Sequence, residues 1–106
     1  MELFNYSGKV AKVVDGDTVD VVLDLGFEVY KKVRCRLNGI DSPETNTEAG
    51  KIAKTFLTTE LPVDTPVKVA SRLYDKYGRS VADIYKGDVN INQFMIDSGH
   101  AVVYKA

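Results

Sequence analysis

The sequence predicts an α+β domain that is mainly β: a five-stranded barrel of the OB-fold type, with a helix between strands 3 and 4 and a short helix after strand 5. Three observations lead there. The 106 residues suffice for one core and no more. Segments with period-two apolar patterning are separated by Asp-Gly, Gly and Asn-Gly turn signals. The one long stretch with helical periodicity falls between the third and fourth of those segments. The order β-β-β-α-β-β-α is that of an OB barrel.

The elements follow in turn. Gly8 to Val14 is β-branched and apolar, and Asp15-Gly16-Asp17 turns the chain. In the second strand Val19, Val21 and Leu23 face one way, and Asp20, Val22 and Asp24 the other. After the turn Asp24-Leu25-Gly26, a third strand from Glu28 to Leu37 puts Val29, Val33, Cys35 and Leu37 on its inner face. It displays Tyr30, Lys32, Arg34 and Arg36 on the outer one. Asn38-Gly39 ends that strand. Pro43 bars a helix from running through it. Thr45-x-x-Glu48 has the form of a capping box, and Ala49, Ile52, Ala53, Phe56 and Leu57 behind it define one face of a helix. Leu61 to Pro66 is a loop, Val67 to Leu73 the fourth strand, 75–79 a polar connection and Val81 to Tyr85 the fifth strand. Lys86-Gly87-Asp88 turns into a helix from Asn90 to Ser98, stopped by Gly99, and His100 to Tyr104 is apolar and extended.

Composition excludes several functions. The 44% hydrophobic and 27% charged fractions are those of a globular domain, not a disordered one. Fourteen basic against fifteen acidic residues, a net charge of −1, rule out bulk electrostatic binding of nucleic acid but not a local basic site. Charge is uneven: residues 1–30 hold two basic and six acidic side chains, and the basic surplus lies downstream. No apolar run reaches the roughly eighteen residues of a membrane span, and no signal peptide opens the chain, so a cytoplasmic location without membrane association is expected. One Cys and one His exclude a disulfide framework and a zinc centre built on those ligands. A metal here would be a hard cation held by oxygen.

Four groups of residues can carry chemistry. Asp15-Gly16-Asp17-Thr18 reads either as a hairpin turn or as a source of metal-binding carboxylates. An EF-hand is excluded, because the sixth and twelfth positions, counting Asp15 as the first, are Asp20 and Gly26. Asp41-Ser42-Pro43-Glu44 reads either as acids at a helix start or as two carboxylates held in different directions by a stiff segment, one for a cation and one for a water. Arg36 and Arg79 are solvated charges or phosphate-binding forks. Taken together, a hard-metal site, a carboxylate base and two guanidiniums are what phosphodiester hydrolysis requires. Cys35 reads as a small core hydrophobe, His100 as a helix-end residue, and Tyr30 as a packing residue or a base-stacking one.

These motifs resemble the staphylococcal nuclease family. The carrying segments are Val14-Asp15-Gly16-Asp17-Thr18-Val19, Arg36 to Glu44, and Asp75-Lys76-Tyr77-Gly78-Arg79 leading into Ala82-Asp83-Ile84-Tyr85. Their order and approximate spacing hold from about Gly8 to Val103, and the whole chain, 1–106, is one such domain. The resemblance implies an OB barrel and a Ca²⁺-dependent endonuclease cutting single-stranded DNA or RNA, as a monomer, to leave 3′-phosphate ends. It implies Asp17 and Asp41 as carboxylate ligands of Ca²⁺ and Ser42 as a backbone-carbonyl ligand, where the family usually has Thr. It further implies Glu44 as general base, Arg36 and Arg79 on the scissile phosphate, and Lys76 and Tyr77 beside a neighbouring phosphate. Against the family pattern, the loop from Thr45 to Gly50 is short and holds no Lys. The alternative is a non-catalytic OB module that binds single strands or protein partners. The joint presence of Asp17, Arg36, Asp41, Glu44 and Arg79 argues against it.

Overall fold

Two antiparallel hairpin pairings start the molecule: β1 (Phe4–Asp15) with β2 (Thr18–Asp24), and β2 with β3 (Tyr30–Leu37). The computed structural model describes residues 4–74 and 78–104, and the side chains of all of these except 72–74. The remaining elements are β4 (Ile40–Asp41), α1 (Glu48–Glu60), β5 (Pro66–Tyr74), β6 (Ser80–Lys86), β7 (Val89–Asn90), α2 (Ile91–Asp97) and β8 (Val102–Val103).

Five of these strands close a barrel. The sheet runs β3-β2-β1-β5-β6, and a parallel pairing of β3 with β6, Cys35 beside Ser80 and Leu37 beside Ala82, joins its edges. This is the expected OB barrel, with α1 inserted between its third and fourth strands. The interior is filled by the inward set of each strand: Val10, Val13, Val19, Val21, Leu23, Val33, Cys35, Leu37, Val67, Val69, Ala82 and Ile84. Leu57 and Ala53 of α1, and Ile91 and Met95 of α2, extend that core, α1 packing against β1 and α2 against β6 and β4. Breaks in the β1–β2 register after Val10 and after Val13 let the long first strand bend enough to serve both neighbours.

The structure corrects three sequence expectations and adds, at Asp20, a feature that alternation does not report. Thr47, not Thr45, caps α1: its Oγ1 accepts from Gly50 N–H at 3.0 Å and donates to the Glu44 carbonyl at 2.6 Å. The buried stripe of α1 is Gly50, Ala53 and Leu57, so Ala49 and Ile52 lie outside it and Ile52 is half exposed. Gly50 decides that rotation. A Cβ there would overlap the Glu44 carbonyl, so the helix seats its bare backbone on the loop before it. Val29 is not an inner residue of the third strand, which begins at Tyr30. Phe27 and Glu28 at φ 53° and 63° form the turn of the β2–β3 hairpin and leave Val29 exposed. Asp20, placed on the outer face by alternation, is nevertheless only 3% exposed, because Arg34 lies across it with Nε and Nη2 donating to its two oxygens at 2.9 and 3.2 Å. The two-residue strands β4 and β7 also escape a pattern reading, whereas β8 lies within the 100–104 stretch expected to be extended. The first strand starts at Phe4, ahead of Gly8.

Candidate active site

The site begins with a pinch between two loops. Gly16, in the β1–β2 turn, is packed so closely that a Cβ would stand 2.8 Å from Ser42 Cβ, 2.9 Å from Ser42 Oγ and 2.9 Å from Ala53 Cβ. The turn can therefore press against both the Asp41–Glu44 loop and α1. Ser42 N–H donates to Asp17 Oδ2 at 3.0 Å, and Thr18 Oγ1 donates to Asp17 Oδ1 at 3.0 Å. Asp17 is thus a buried carboxylate held from both sides.

Arg36 comes from the end of β3, directly across from Thr18. Its Nη1 donates to the Leu37 carbonyl at 3.0 Å. Its Nη2 lies 3.3 Å from Asp41 Oδ1 and 3.5 Å from Asp17 Oδ2. The Tyr104 ring sits beneath the guanidinium with 5.9 Å to its centroid, and Tyr104 N–H donates to the Gly39 carbonyl, tying the last strand to the loop that carries Asp41. Asp41 itself lies on β4, paired with Val102 of β8. Glu44 projects from the segment just before α1. Its carbonyl is anchored by Thr47 N–H and Thr47 Oγ1, while its side chain is exposed on the cleft.

These residues line one open cleft of about 180 Å³: Asp15, Asp17, Arg36, Asp41, Ser42, Glu44 and Arg79, with Pro43 and Thr45. Six of the eight predicted site residues are therefore neighbours in space. The other two, Lys76 and Tyr77, lie outside the described residues. Asp15 and Thr45 were not among the predicted site residues. For Asp15 the signal was present, since Asp-Gly-Asp places two carboxyls on one turn.

The electrostatics separate the two turn acids. Burial raises the Asp15 carboxyl, and the adjacent Asp17 raises it further by sharing a hydrogen bond and by its charge. Burial also opposes ionisation of Asp17. The bond from Asp15, Ser42 N–H, the Arg36 charge and Thr18 outweigh it and hold the carboxyl below the usual range. The two turn acids are thus pushed in opposite directions, Asp15 up and Asp17 down. Asp15 Oδ1 is a buried oxygen without a hydrogen-bond partner among the described residues.

That donor set suits a hard cation. Four carboxyls and two guanidiniums surround the cleft, so negative charge is in excess. Its lining offers oxygen and no sulfur or imidazole, and one buried carboxyl oxygen has no donor. Among the described residues no three Asp, Glu, His or Cys side chains stand close enough to form a protein-only cage.

Comparison with known proteins now decides the relationship. A model of the family described as staphylococcal nuclease homologue matches residues 34–106. The chain belongs to the staphylococcal nuclease family. Its relatives include an uncharacterized endonuclease of Escherichia coli O157:H7, 37% identical over 99 residues that make up 92% of this chain and 61% of the relative. Another is an uncharacterized endonuclease of Haemophilus influenzae, 33% identical over 97 residues, 92% of this chain and 52% of the relative. A probable staphylococcal-like nuclease of Oryza sativa subsp. japonica is 37% identical over 75 residues, 71% of this chain and 20% of the relative. The chain thus spans about three fifths of the Escherichia coli relative and less of the other two. Among the described residues no helix is long and apolar enough to cross a membrane.

Proposed function

We propose that this domain hydrolyses phosphodiester bonds of DNA or RNA as a Ca²⁺-dependent endonuclease, acting as a monomer on single strands and leaving 3′-phosphate ends. One observation carries the reading: the cleft gathers Asp17, Arg36, Asp41, Ser42, Glu44 and Arg79 from four separate stretches of sequence. Relatives named endonuclease and staphylococcal-like nuclease support it.

The roles follow from position and charge. Arg36 and Arg79 flank the cleft as forks for the scissile phosphate, and their charge opposes the negative charge that grows on its oxygens as water adds. Arg36 is steadied for this by the Leu37 carbonyl, its carboxylate neighbours and the Tyr104 ring. Glu44, exposed on the same cleft but with its backbone pinned by the α1 cap, takes the proton of the attacking water. Asp17, Asp41 and the Ser42 carbonyl would hold Ca²⁺, which when bound supplies positive charge to the phosphate and acidifies water beside it. Loss of the 5′-oxygen leaves the phosphate on the 3′ side.

The test is cleavage of labelled single-stranded DNA and RNA with Ca²⁺, with Mg²⁺ and with chelator. Cleavage with Ca²⁺ and its loss in chelator are expected. The product ends should resist polymerase extension until a phosphatase treats them. Full activity in chelator, or products extendable at once, would refute the assignment.

A further inference from the structure

We infer that the outer face of β3 is a binding track for about four nucleotides of a single strand, leading away from the scissile phosphate at Arg36 over Arg34 and Lys32 to Tyr30. The inference rests on the reading of the cleft as a nuclease site and adds the path of the substrate beyond it. The four side chains alternate along one strand with Val33, Cys35 and Leu37, which are buried in the barrel, so all four point outward. From Arg36 to Tyr30 the strand advances about 20 Å, with successive outward positions roughly 6.6 Å apart. That step is close to the distance between neighbouring phosphates of an extended single strand.

The chemistry alternates with the same step. Arg36 is a charge inside the cleft. Arg34 is held by Asp20 in a two-point fork, Nε to Oδ1 at 2.9 Å and Nη2 to Oδ2 at 3.2 Å, while half its side chain stays exposed. Its charge is cancelled by a buried partner, so it offers a fixed planar guanidinium on which a base can lie. Lys32 is exposed across from Val22 and offers a charge to the second phosphate beyond the scissile one. Tyr30 is 63% exposed and offers a second flat surface. Of the acids beside the track, Asp20 is neutralised by Arg34, whereas Asp24, whose Oδ1 accepts from Gly26 N–H at 2.8 Å, and the exposed Glu28 keep their charge near Tyr30. That end therefore offers a stacking surface and no phosphate contact. Charge and platform in turn suit unstacked bases. A duplex, whose bases stack on one another, cannot use the platforms. The track also explains how a chain of net charge −1 can hold a polyanion, since attraction is local and short.

The test compares Tyr30→Ala, Lys32→Ala and their double variant with the parent and with Lys51→Ala, which removes an exposed charge on α1. Cleavage of a twelve-nucleotide single strand and of a dinucleotide is measured, together with binding of the labelled twelve-mer to each protein in Ca²⁺-free buffer by fluorescence anisotropy. For the double variant KM on the twelve-mer should rise roughly five- to fiftyfold, with kcat/KM on the dinucleotide unchanged. Lys32→Ala should make the slope of log K against log salt shallower by about 0.7. Equal losses on both substrates, no loss on the twelve-mer, or equal weakening by Lys51→Ala would overturn the track. If the parent cuts neither substrate, the nuclease assignment fails. The track then stands or falls on the anisotropy, where undiminished binding by the double variant overturns it.

Discussion

Replacing Gly16 with Ala tests whether the contact between the β1–β2 turn and the Asp41–Glu44 loop sets the geometry of the cleft. The added methyl would stand 2.8 and 2.9 Å from Ser42 Cβ and Oγ and 2.9 Å from Ala53 Cβ. Two of those three atoms are Cβ atoms fixed to their backbone, so no rotamer change relieves the overlap. Restoring ordinary contact needs a shift of about half an ångström. Overpacking of this kind costs about 1–3 kcal/mol. The same shift separates Asp17 from Ser42 N–H, and active sites tolerate displacements of only about 0.5 Å. A loss of ten- to a hundredfold in kcat/KM is therefore expected beside the stability loss. Urea unfolding followed by emission of the tyrosines gives the first, and oligonucleotide cleavage the second. Adding Ser42→Gly removes two of the three overlaps while keeping the carbonyl of residue 42, so the double variant should recover part of both losses. A Gly16→Ala protein with parental stability and activity would refute the reasoning. So would a double variant worse than the sum of its single changes.

Three further outcomes are expected. Glu44→Gln should lower kcat by about 10²–10⁴ while calorimetry finds Ca²⁺ binding largely retained, whereas Asp41→Ala should weaken Ca²⁺ directly; equal affinity losses would make Glu44 a ligand. In chelator, Asp15→Asn should be more stable than the parent at pH 7, because a carboxyl raised by folding favours the fold below its unfolded value of 3.8 and opposes it once pH passes the folded value. Asp17, lowered by folding, gives the opposite sign: Asp17→Asn should be less stable at pH 7, with the gap closing as pH falls through the depressed value, and urea melts across pH 2–7 would expose either sign as wrong. Cys35 is fully buried and its thiol is pushed up to about 12, chiefly by burial and then by the charge of Asp20. It should react with a thiol reagent at pH 8 only as fast as the protein unfolds, and immediate native-state labelling would contradict that placement.

Which residues line the cleft was largely legible, because they sit in turns and loops with distinctive sequences. Asp-Gly-Asp reads equally as a turn and Asp-Ser-Pro-Glu as a helix start, and it is their joint presence with Arg36 and Arg79 that points to one cleft. The strand set was legible too, since period-two burial fixes which side of β2 and β3 faces the core. What stayed hidden depends on contacts across the chain. Nothing local announces that β3 and β6 pair in parallel. Nor does a pattern show that Asp20 disappears beneath Arg34, for alternation reports only the side of the strand and not what lies over it. Ala53, Phe56 and Leu57 lie on the inner face as expected, and only the first turn of the helix was misread, because Gly50, silent in a hydrophobic pattern, makes the closest approach to the preceding loop. Asn92 is equally silent. It is buried at the start of α2, donates to the carbonyls of Asn38 and Ala82 and accepts from Ile84 N–H, fastening the end of β3 to β6 and α2.

The parallel seam between β3 and β6 has a consequence for when the cleft comes into being. Asp17, Arg36, Asp41 and Glu44 all precede α1, while Arg79 arrives only at the threshold of β6. As the chain leaves the ribosome, the acids and the first guanidinium are therefore synthesised well before the second. A nascent chain lacking β6 has β3 without its closing partner and one wall of the cleft missing. Closure at high sequence separation is a slow event in folding. The complete constellation therefore cannot assemble until β6 has been made, and the order of synthesis sets the acids in place before the second guanidinium.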